Sequence, residues 1–288
     1  MELKIKRKGN HPVMEVKEKS GATYLTFPSL EKTGLVTQLF STRLGGVSKD
    51  IFATMNVSSS RGDDKEAVLE NYRRIAVTMD RELDQFVGSV QTHTTNIRVV
   101  TKADAGKGII RERDYEDIDG LVTNEPGLVL CTFYADCVPL YFLDTKKKVI
   151  GLSHSGWRGT VNKMGACTVQ KMTEVYGTDP KDIVACIGPS ICGSCYEVSE
   201  DVAEEFKQVF PADVVVPEYK DGNLVEGKYM LDLWKANRYV MLEAGIPAEN
   251  IEVTDICTCC NPELLFSHRA SHGKRGNLGA FLSLNPLK

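Results

Sequence analysis

Histidine is scarce in this 288-residue chain: there are five, at His11, His93, His154, His268 and His272. Five imidazoles exclude chemistry that consumes many of them. A blue-copper centre with an added three-copper cluster takes about ten, so one polypeptide of this composition does not build a multicopper oxidase. No stretch approaches the roughly 18 unbroken apolar residues of a membrane span. The N-terminus, MELKIKRKGNHPVMEVKEK, is charged throughout and lacks the apolar core of a secretory signal. A cytoplasmic location without membrane contact is expected. Charge of one sign is also missing. The formal net charge is −4, which leaves no electrostatic footprint for nucleic acid. The short basic runs Lys4 to Lys8 and Lys146 to Lys148 read as solvated faces. There is no internal repeat, no low-complexity tract and no long linker.

What is present describes an ordinary globular protein, 42% apolar and 26% charged. A chain of this length buries about three-quarters of its unfolded surface, so it needs no disulfides or structural metal to fold. Nine cysteines, an odd number, do not form a disulfide framework in a reducing compartment. Most read as small buried apolar side chains, with one or a few left as ligands or nucleophiles.

Helical periodicity is clearest in four places. Val68, Tyr72, Ile75 and Met79 follow the capping candidates Asp63 and Asp64. A second set runs from Val161 to Tyr176 with Gly177 as its stop. Ser199 opens a third helix carrying Val202, Phe206 and Val209, and a fourth spans about Leu231 to Ala244, ended by Gly245 and Pro247. Strand candidates are Ile97–Val100, Leu128–Phe133, Val138–Leu143, Val149–Ser153, Ile183–Ile187, Ile251–Ile256 and Ala280–Leu284. Several are continuous apolar runs, which suits strands buried on both faces. Strands and helices mix without strict alternation, so the expected class is α+β. It is a single compact domain over residues 1–288, with mixed or packed sheets and helices outside. The segment 1–20 is the least determined by pattern.

The segment richest in chemistry is Tyr134-Ala135-Asp136-Cys137-Val138-Pro139, followed by two strands and then His154-Ser155-Gly156-Trp157-Arg158-Gly159. His154 falls at a strand end where the chain turns into a helix, a position at which folds display reactive groups. His93, in Gln91-Thr92-His93, closes a strand-like run from Phe86 to Val90. These three meet only through the fold. Two imidazoles and a thiolate bind zinc tetrahedrally with the fourth position left for water. Alternatively, Cys137 is a nucleophile activated by His154, without metal. The blander reading makes Cys137 core filler and the histidines loop residues.

The motifs Ala-Asp-Cys-x-Pro and His-x-Gly-Trp-Arg-Gly resemble the YfiH/YlmD family, once labelled multicopper polyphenol oxidase or laccase-domain proteins. Further matches are Thr42-Arg43-Leu44-Gly45-Gly46-Val47-Ser48, Gln91-Thr92-His93, and Gly188-Pro189-x-Ile191 leading to Cys195-Tyr196-Glu197-Val198. The stretch from Cys257 through Asn261-Pro262 to Ser267-His268-Arg269 completes the order. The resemblance covers roughly Thr42 to Leu284. It implies an α-β-β layered fold and zinc held by His93, Cys137 and His154. The alternative kept from the old family name is a copper-dependent, laccase-like polyphenol oxidase, with copper replacing zinc in the same trio because Cu²⁺ outcompetes Zn²⁺ at such sites. It also implies phosphorolysis of adenosine, inosine and methylthioadenosine, plus deamination of adenosine. Purine nucleosides and inorganic phosphate are then the partners.

Within that expectation Arg43 is the first candidate for a phosphate clamp, because guanidinium pairs bidentately with phosphate oxygens. Arg158, beside Trp157 at a helix start, either stacks or binds ligand. Asp136 adjoins Cys137, so on a strand it points to the opposite face unless the backbone turns. A role in proton transfer or in supporting a neighbour is open to it. Gln91 shares a face with His93 if that segment is extended and could touch base or ribose. Near the C-terminus the chain departs from the family pattern: Ala270 replaces a second arginine, and Lys274-Arg275-Gly276-Asn277 matches the following turn loosely.

Other marks read more plainly. Cys257, Cys259 and Cys260 resemble half of a zinc knuckle, with no matching pair after them at the usual spacing and only His268 and His272 downstream. Cys192-x-x-Cys195 is formally C-x-x-C but lacks the thioredoxin context and reads as structural. Gly45-Gly46 is no Walker loop. A cysteine hydrolase or amidase using a Cys137–His154 dyad is the reading from another class. His93 separates the two, since a dyad does not need it.

Overall fold

The structure is a computed structural model that describes residues 4–286; among these, fifteen strands and six α-helices form a layered α/β domain. The first sheet runs β1 (Glu15–Lys19), β2 (Ala22–Thr26), β3 (Val36–Ser41), β15 (Leu278–Leu284), β7 (Val129–Tyr134) and β4 (Phe86–Gly88). It is antiparallel except for the pair β7–β4. The second sheet runs β14 (Ile251–Val253), β10 (Ile183–Ile187), β8 (Val138–Asp144), β9 (Val149–Ser155), β6 (Gly120–Thr123) and β5 (Ile97–Val99). Its centre is antiparallel and both of its edge pairs are parallel. A small antiparallel sheet joins β11 (Glu197–Ser199), β13 (Asn223–Leu231) and β12 (Val215–Lys220).

The apolar runs of β8 and β9 are buried at every position because each strand is covered on both faces. Side chains alternate between those faces. Tyr141, Leu143, Ile150 and Leu152 pack with Phe40, Leu130, Tyr134 and Leu282 of the first sheet. Their neighbours Leu140, Phe142 and Val149 pack with Val169 and Met172 of α4 (Met164–Tyr176) and Val240 of α6 (Leu233–Glu243). Phe206 of α5 (Glu200–Val209) joins the same cluster. Gly151 lets α4 lie close: a Cβ there would come within 2.9 Å of Thr168 Cγ2. The outer face of the first sheet is covered by α2 (Lys65–Met79), whose Val68, Tyr72, Ile75 and Met79 meet Leu39, Phe86, Val129 and Phe281. The order is therefore helix, sheet, sheet, helices. The expected α-β-β layering is present, with α2 adding a helix on the far side. Short helices α1 (Pro28–Glu31) and α3 (Trp157–Val161) complete the set.

Asp64 caps α2 as its position suggests, accepting bonds from the N–H groups of Glu66 and Ala67 at 2.7 and 3.0 Å. The helix expected from Val161 to Tyr176 instead divides. Asn162 turns its amide back onto the Arg158 carbonyl at 2.8 Å, and Lys163 adopts φ +59, so α4 starts afresh at Met164. The strand expected over Ile251–Ile256 stops at Val253, beyond which the chain makes only single bridges, Arg7 with Ile256 and Ser190 with Cys257. The N-terminal segment is seated from Lys6 onward. The Lys6 N–H donates to Asn261 at 2.7 Å, Arg7 pairs with the buried Asp255, and β1 extends the first sheet. No helix among the described residues is long and apolar enough to cross a membrane.

Candidate metal centre and active site

Strand register explains why two distant residues meet. Pro139 lies opposite His154 in the β8–β9 pair, so Cys137 is the diagonal neighbour of His154 on the same face. His93 reaches them from the loop after β4, with its own backbone at φ +68. The three ligand atoms of His93, Cys137 and His154 all lie within 4.8 Å of one another, and the two imidazole rings are 5.0 Å apart, edge to face. Sequence reasoning thus named a trio that the fold assembles.

The residue it missed is Asp119, which is fully buried. One carboxylate oxygen accepts from the N–H groups of Thr92 and Thr94, at 2.9 and 3.0 Å, and from the Thr94 hydroxyl at 3.1 Å. The other oxygen accepts from the His93 N–H at 3.1 Å and from His154 Nδ1 at 2.8 Å. Asp119 therefore shapes the loop that carries His93 and fixes the ring of His154. With Nδ1–H bound to the carboxylate, His154 presents Nε2 toward Cys137, the arrangement that metal-ligating histidines use. Its sequence context, Asp119-Gly120 ahead of a short apolar run, reads as a turn, and nothing else marks it.

Electrostatics prepare the sulfur. Burial pushes the Cys137 thiol up, but the charge of His154 and hydrogen bonds from His154 and His93 outweigh it and bring the thiol down to about 6. Burial pulls His154 down, while Cys137 and Asp119 push it up to about 9. The two shifts are mutual: the pair favours a thiolate, the form that ligates a metal, beside a protonated His154, whose Nε2 proton a bound metal would displace. Gly156 closes the other side. A Cβ there would sit 3.0 Å from His93 Cδ2 and 3.1 Å from Cys137 Sγ, so only glycine leaves the donors room. Two imidazoles and one thiolate, with His93 exposed, fit a tetrahedral ion that keeps one position open.

The other expected site residues have structural partners. Asp136 is not on a strand: the backbone turns there at φ +87, which removes the opposite-face argument. Its carboxylate accepts from the Thr258 hydroxyl at 2.6 Å and the Arg269 N–H at 2.7 Å, tying the C-terminal loop to the residue before Cys137. Gln91 does not share an extended face with His93. Its amide bridges Ser89 and both main-chain groups of Phe133 at 2.6 to 2.8 Å, buttressing β7. Arg43 donates to the carbonyls of Ala53 and Pro262 at 3.0 and 2.8 Å and lies over the Phe266 ring. Arg158 is exposed and stacks on Trp157 at 4.3 Å.

The loosely matching C-terminal turn brings a cation to the site. Burial and the neighbouring Arg61 pull the Arg275 guanidinium down to about 10, against the opposite pull of Asp136 and Cys137. Burial pushes the Tyr196 hydroxyl up to about 12, and Cys137, Arg269 and Arg158 are among the charges it feels. Arg275 thus acts on Cys137 with Arg61 beside it, Arg158 and Arg269 act on Tyr196, and among the described residues none of the four forms an ion pair with a carboxylate. Such a group of cations attracts an anion.

Fold and site together define a layered α/β scaffold that carries a candidate metal centre. The chain belongs to the YfiH/YlmD family: the family model described as "Multi-copper polyphenol oxidoreductase laccase" matches residues 37–285. The purine nucleoside phosphorylase YlmD of Bacillus subtilis (strain 168) is 36% identical over 250 residues, 85% of this chain and 87% of that protein. The adenosine deaminase RL5, from an unknown prokaryotic organism, is 35% identical over 236 residues, 81% of this chain and 88% of its own. The crystal structure of Bacillus licheniformis hypothetical protein YfiH superposes with a TM-score of 0.86 at 32% identity, covering 94% of this chain and 99% of that one.

Proposed function

We propose that this protein is a zinc-dependent purine nucleoside phosphorylase that also deaminates adenosine. Its substrates are adenosine, inosine and S-methyl-5′-thioadenosine, each taken with inorganic phosphate. The observation that carries the reading is the pairing of a donor trio, His93, Cys137 and His154, with the buried Arg275, whose charge acts on Cys137 and which has no carboxylate ion pair among the described residues. The names of the relatives at 35 and 36% identity agree with it.

His93, Cys137 and His154 would hold the zinc, which would supply Lewis acidity and ease deprotonation of the water needed to replace the C6 amino group of adenine. The protein's own residues do the rest. Asp119 holds His154 in one tautomer and sets the position of His93. Arg275, with Arg61 and Arg158, neutralises phosphate, and Arg43 is the further clamp candidate. Phosphorolysis joins a phosphate oxygen to C1′ of the ribose as the bond to the base nitrogen breaks, and the base takes up a proton. Tyr196, its phenol pushed up by burial, keeps its proton across the neutral range and can donate a hydrogen bond beside the leaving base. Asp136 holds Arg269 and its loop against the site. Gln91, the expected contact to base or ribose, instead spends its amide on Ser89 and Phe133 and supports the start of the His93 loop.

Copper enters the same N₂S set by substitution, since Cu²⁺ outcompetes Zn²⁺ at such sites. Five histidines do not build the clusters that the family's descriptive name implies. A metal-free dyad leaves unexplained why His93 is brought to Cys137 and why Gly156 keeps both uncrowded. The test is to incubate metal-quantified protein with each nucleoside, with and without phosphate, and to separate the products. Adenine formed only when phosphate is present is the expected result, and inosine in either case reports deamination. Zinc-loaded protein that yields neither overturns the proposal.

A further inference from the structure

A second donor set lies outside the trio. Cys192 and Cys195 form one C-x-x-C pair and Cys257 and Cys260 another, with partners 65 residues apart in sequence. The fold sets the two turns side by side. Ser190 and Cys257 pair as a parallel bridge, and the Thr258 N–H donates to the Ser190 carbonyl at 3.1 Å. In the first turn, the N–H groups of Cys195 and Tyr196 both donate to the Cys192 carbonyl, at 2.9 and 3.1 Å. The matching half of the knuckle begun by Cys257 therefore precedes it in sequence, and neither His268 nor His272 is part of this set.

The four sulfurs lie within 4.8 Å of one another, with Cys195 and Cys260 at 3.4 Å, and all four cysteines are free. A tetrahedral zinc ion with bonds of about 2.3 Å holds its sulfurs about 3.8 Å apart, so the set is close to ligating geometry. Its surroundings suit thiolates. The Cys192 N–H donates to Cys257 Sγ at 3.3 Å, and the Ser194 hydroxyl is 3.2 Å from Cys192 Sγ. Lys8 donates to that hydroxyl at 3.0 Å and feels the charge of all four sulfurs. Four thiolates on a divalent ion carry a net charge of −2, which an adjacent ammonium offsets in part.

We propose that Cys192, Cys195, Cys257 and Cys260 bind a second zinc ion in a closed, four-thiolate structural site. Four protein ligands leave no position for substrate, so this ion does no chemistry. Its work is positional. It joins the segment after β10 to the segment after β14, and both touch Asp136: the Ile191 N–H donates to the Asp136 carbonyl at 3.0 Å and the Thr258 hydroxyl to its carboxylate at 2.6 Å. The site thereby staples the two loops that carry Tyr196 and Arg269 to the residue next to Cys137.

The experiment counts metal. Reduced full-length protein is incubated with excess zinc, desalted, and analysed for metal and by native mass spectrometry. Two zinc ions per chain are expected in wild type and one in His93→Ala, which keeps all four cysteines. Cobalt in place of zinc should give strong thiolate charge-transfer absorption that survives in His93→Ala. Cys195→Ser/Cys260→Ser should lose one ion and keep the other. A single zinc in wild type with none in His93→Ala overturns the proposal, whatever the double variant does. So does a wild-type mass four hydrogens short with one zinc bound, which would mean two disulfides.

Discussion

Replacing Asp119 by Asn removes one charge without changing shape, and its consequences can be worked out bond by bond. The carboxylate has no spare acceptor: one oxygen serves Thr92, Thr94 and the Thr94 hydroxyl, the other serves His93 and His154. If the Asn oxygen takes the first place, its NH₂ faces two donors. The His93 N–H then loses its partner in the interior, a cost of about 1–3 kcal/mol. His154 must also move its proton from Nδ1 to Nε2, and a protonated Nε2 does not ligate. If the amide flips, His154 keeps its tautomer but three donors of the His93 loop meet an NH₂ group. Either way one histidine is compromised. Loss of such a supporting carboxylate weakens metal binding by about 10–100-fold, or about 1.4–2.8 kcal/mol. Competition for zinc against a chelator measures the affinity of the trio, and denaturant unfolding of the metal-free protein measures the stability cost. Zinc binding at wild-type affinity in Asp119→Asn, with the fold intact, would refute the role assigned to this residue.

Three further outcomes follow from the same geometry. Arg275→Gln should raise the KM for phosphate by about tenfold, the loss of one charged hydrogen bond, while the metal content stays unchanged; equal phosphate kinetics in variant and wild type would remove Arg275 from the anion rim. Gly156→Ala should weaken metal binding, because the added methyl meets His93 and Cys137 at 3.0 and 3.1 Å, and chelator competition reads it directly. Asp104 offers a pH signature. Burial pushes its carboxyl up, but Lys107, the Thr101 N–H and Arg98 outweigh it and bring it from 3.8 down to about 2. A depressed carboxyl stabilises above its unfolded value and loses that contribution as pH falls through the folded one. Asp104→Asn should therefore cost about 2 kcal/mol at pH 7, with the gap to wild type closing below pH 4 in denaturant unfolding.

The parts of the fold visible in sequence were those whose burial is symmetric. The strands over Val138–Asp144 and Val149–Ser155 are apolar throughout because they lie between two cores, and the helix after Asp64 shows its cap and its apolar stripe. The parts that escaped carry weak patterns for physical reasons. The edge strand Glu15–Lys19 reads EVKEK because charges on an exposed edge guard it against stray pairing. In β13, Asn223–Leu231, the exposed and half-buried residues leave only Leu231 in the core. At the site, the motifs exposed the three candidate ligands, since Cys137 immediately precedes β8 and His154 lies on β9 of the same hairpin. Asp119 did not show, because its meaning lies in five hydrogen bonds made by residues up to 35 positions away. The pairing of Cys192 and Cys195 with Cys257 and Cys260 was hidden for the same reason: it is made by two strand ends that meet only in the folded sheet.

The central claim is that phosphate-dependent cleavage of a purine nucleoside requires the intact metal trio, and that a metal-free dyad does not suffice. Its most direct test is to assay adenine release from adenosine plus phosphate, in parallel, on zinc-loaded wild type, His93→Ala and Cys137→Ala, with the zinc content of each sample quantified. The account predicts steady turnover by wild type with two zinc ions per chain, and no turnover by either variant, each retaining one. Wild-type turnover in His93→Ala would contradict it, since a dyad of Cys137 and His154 would then suffice.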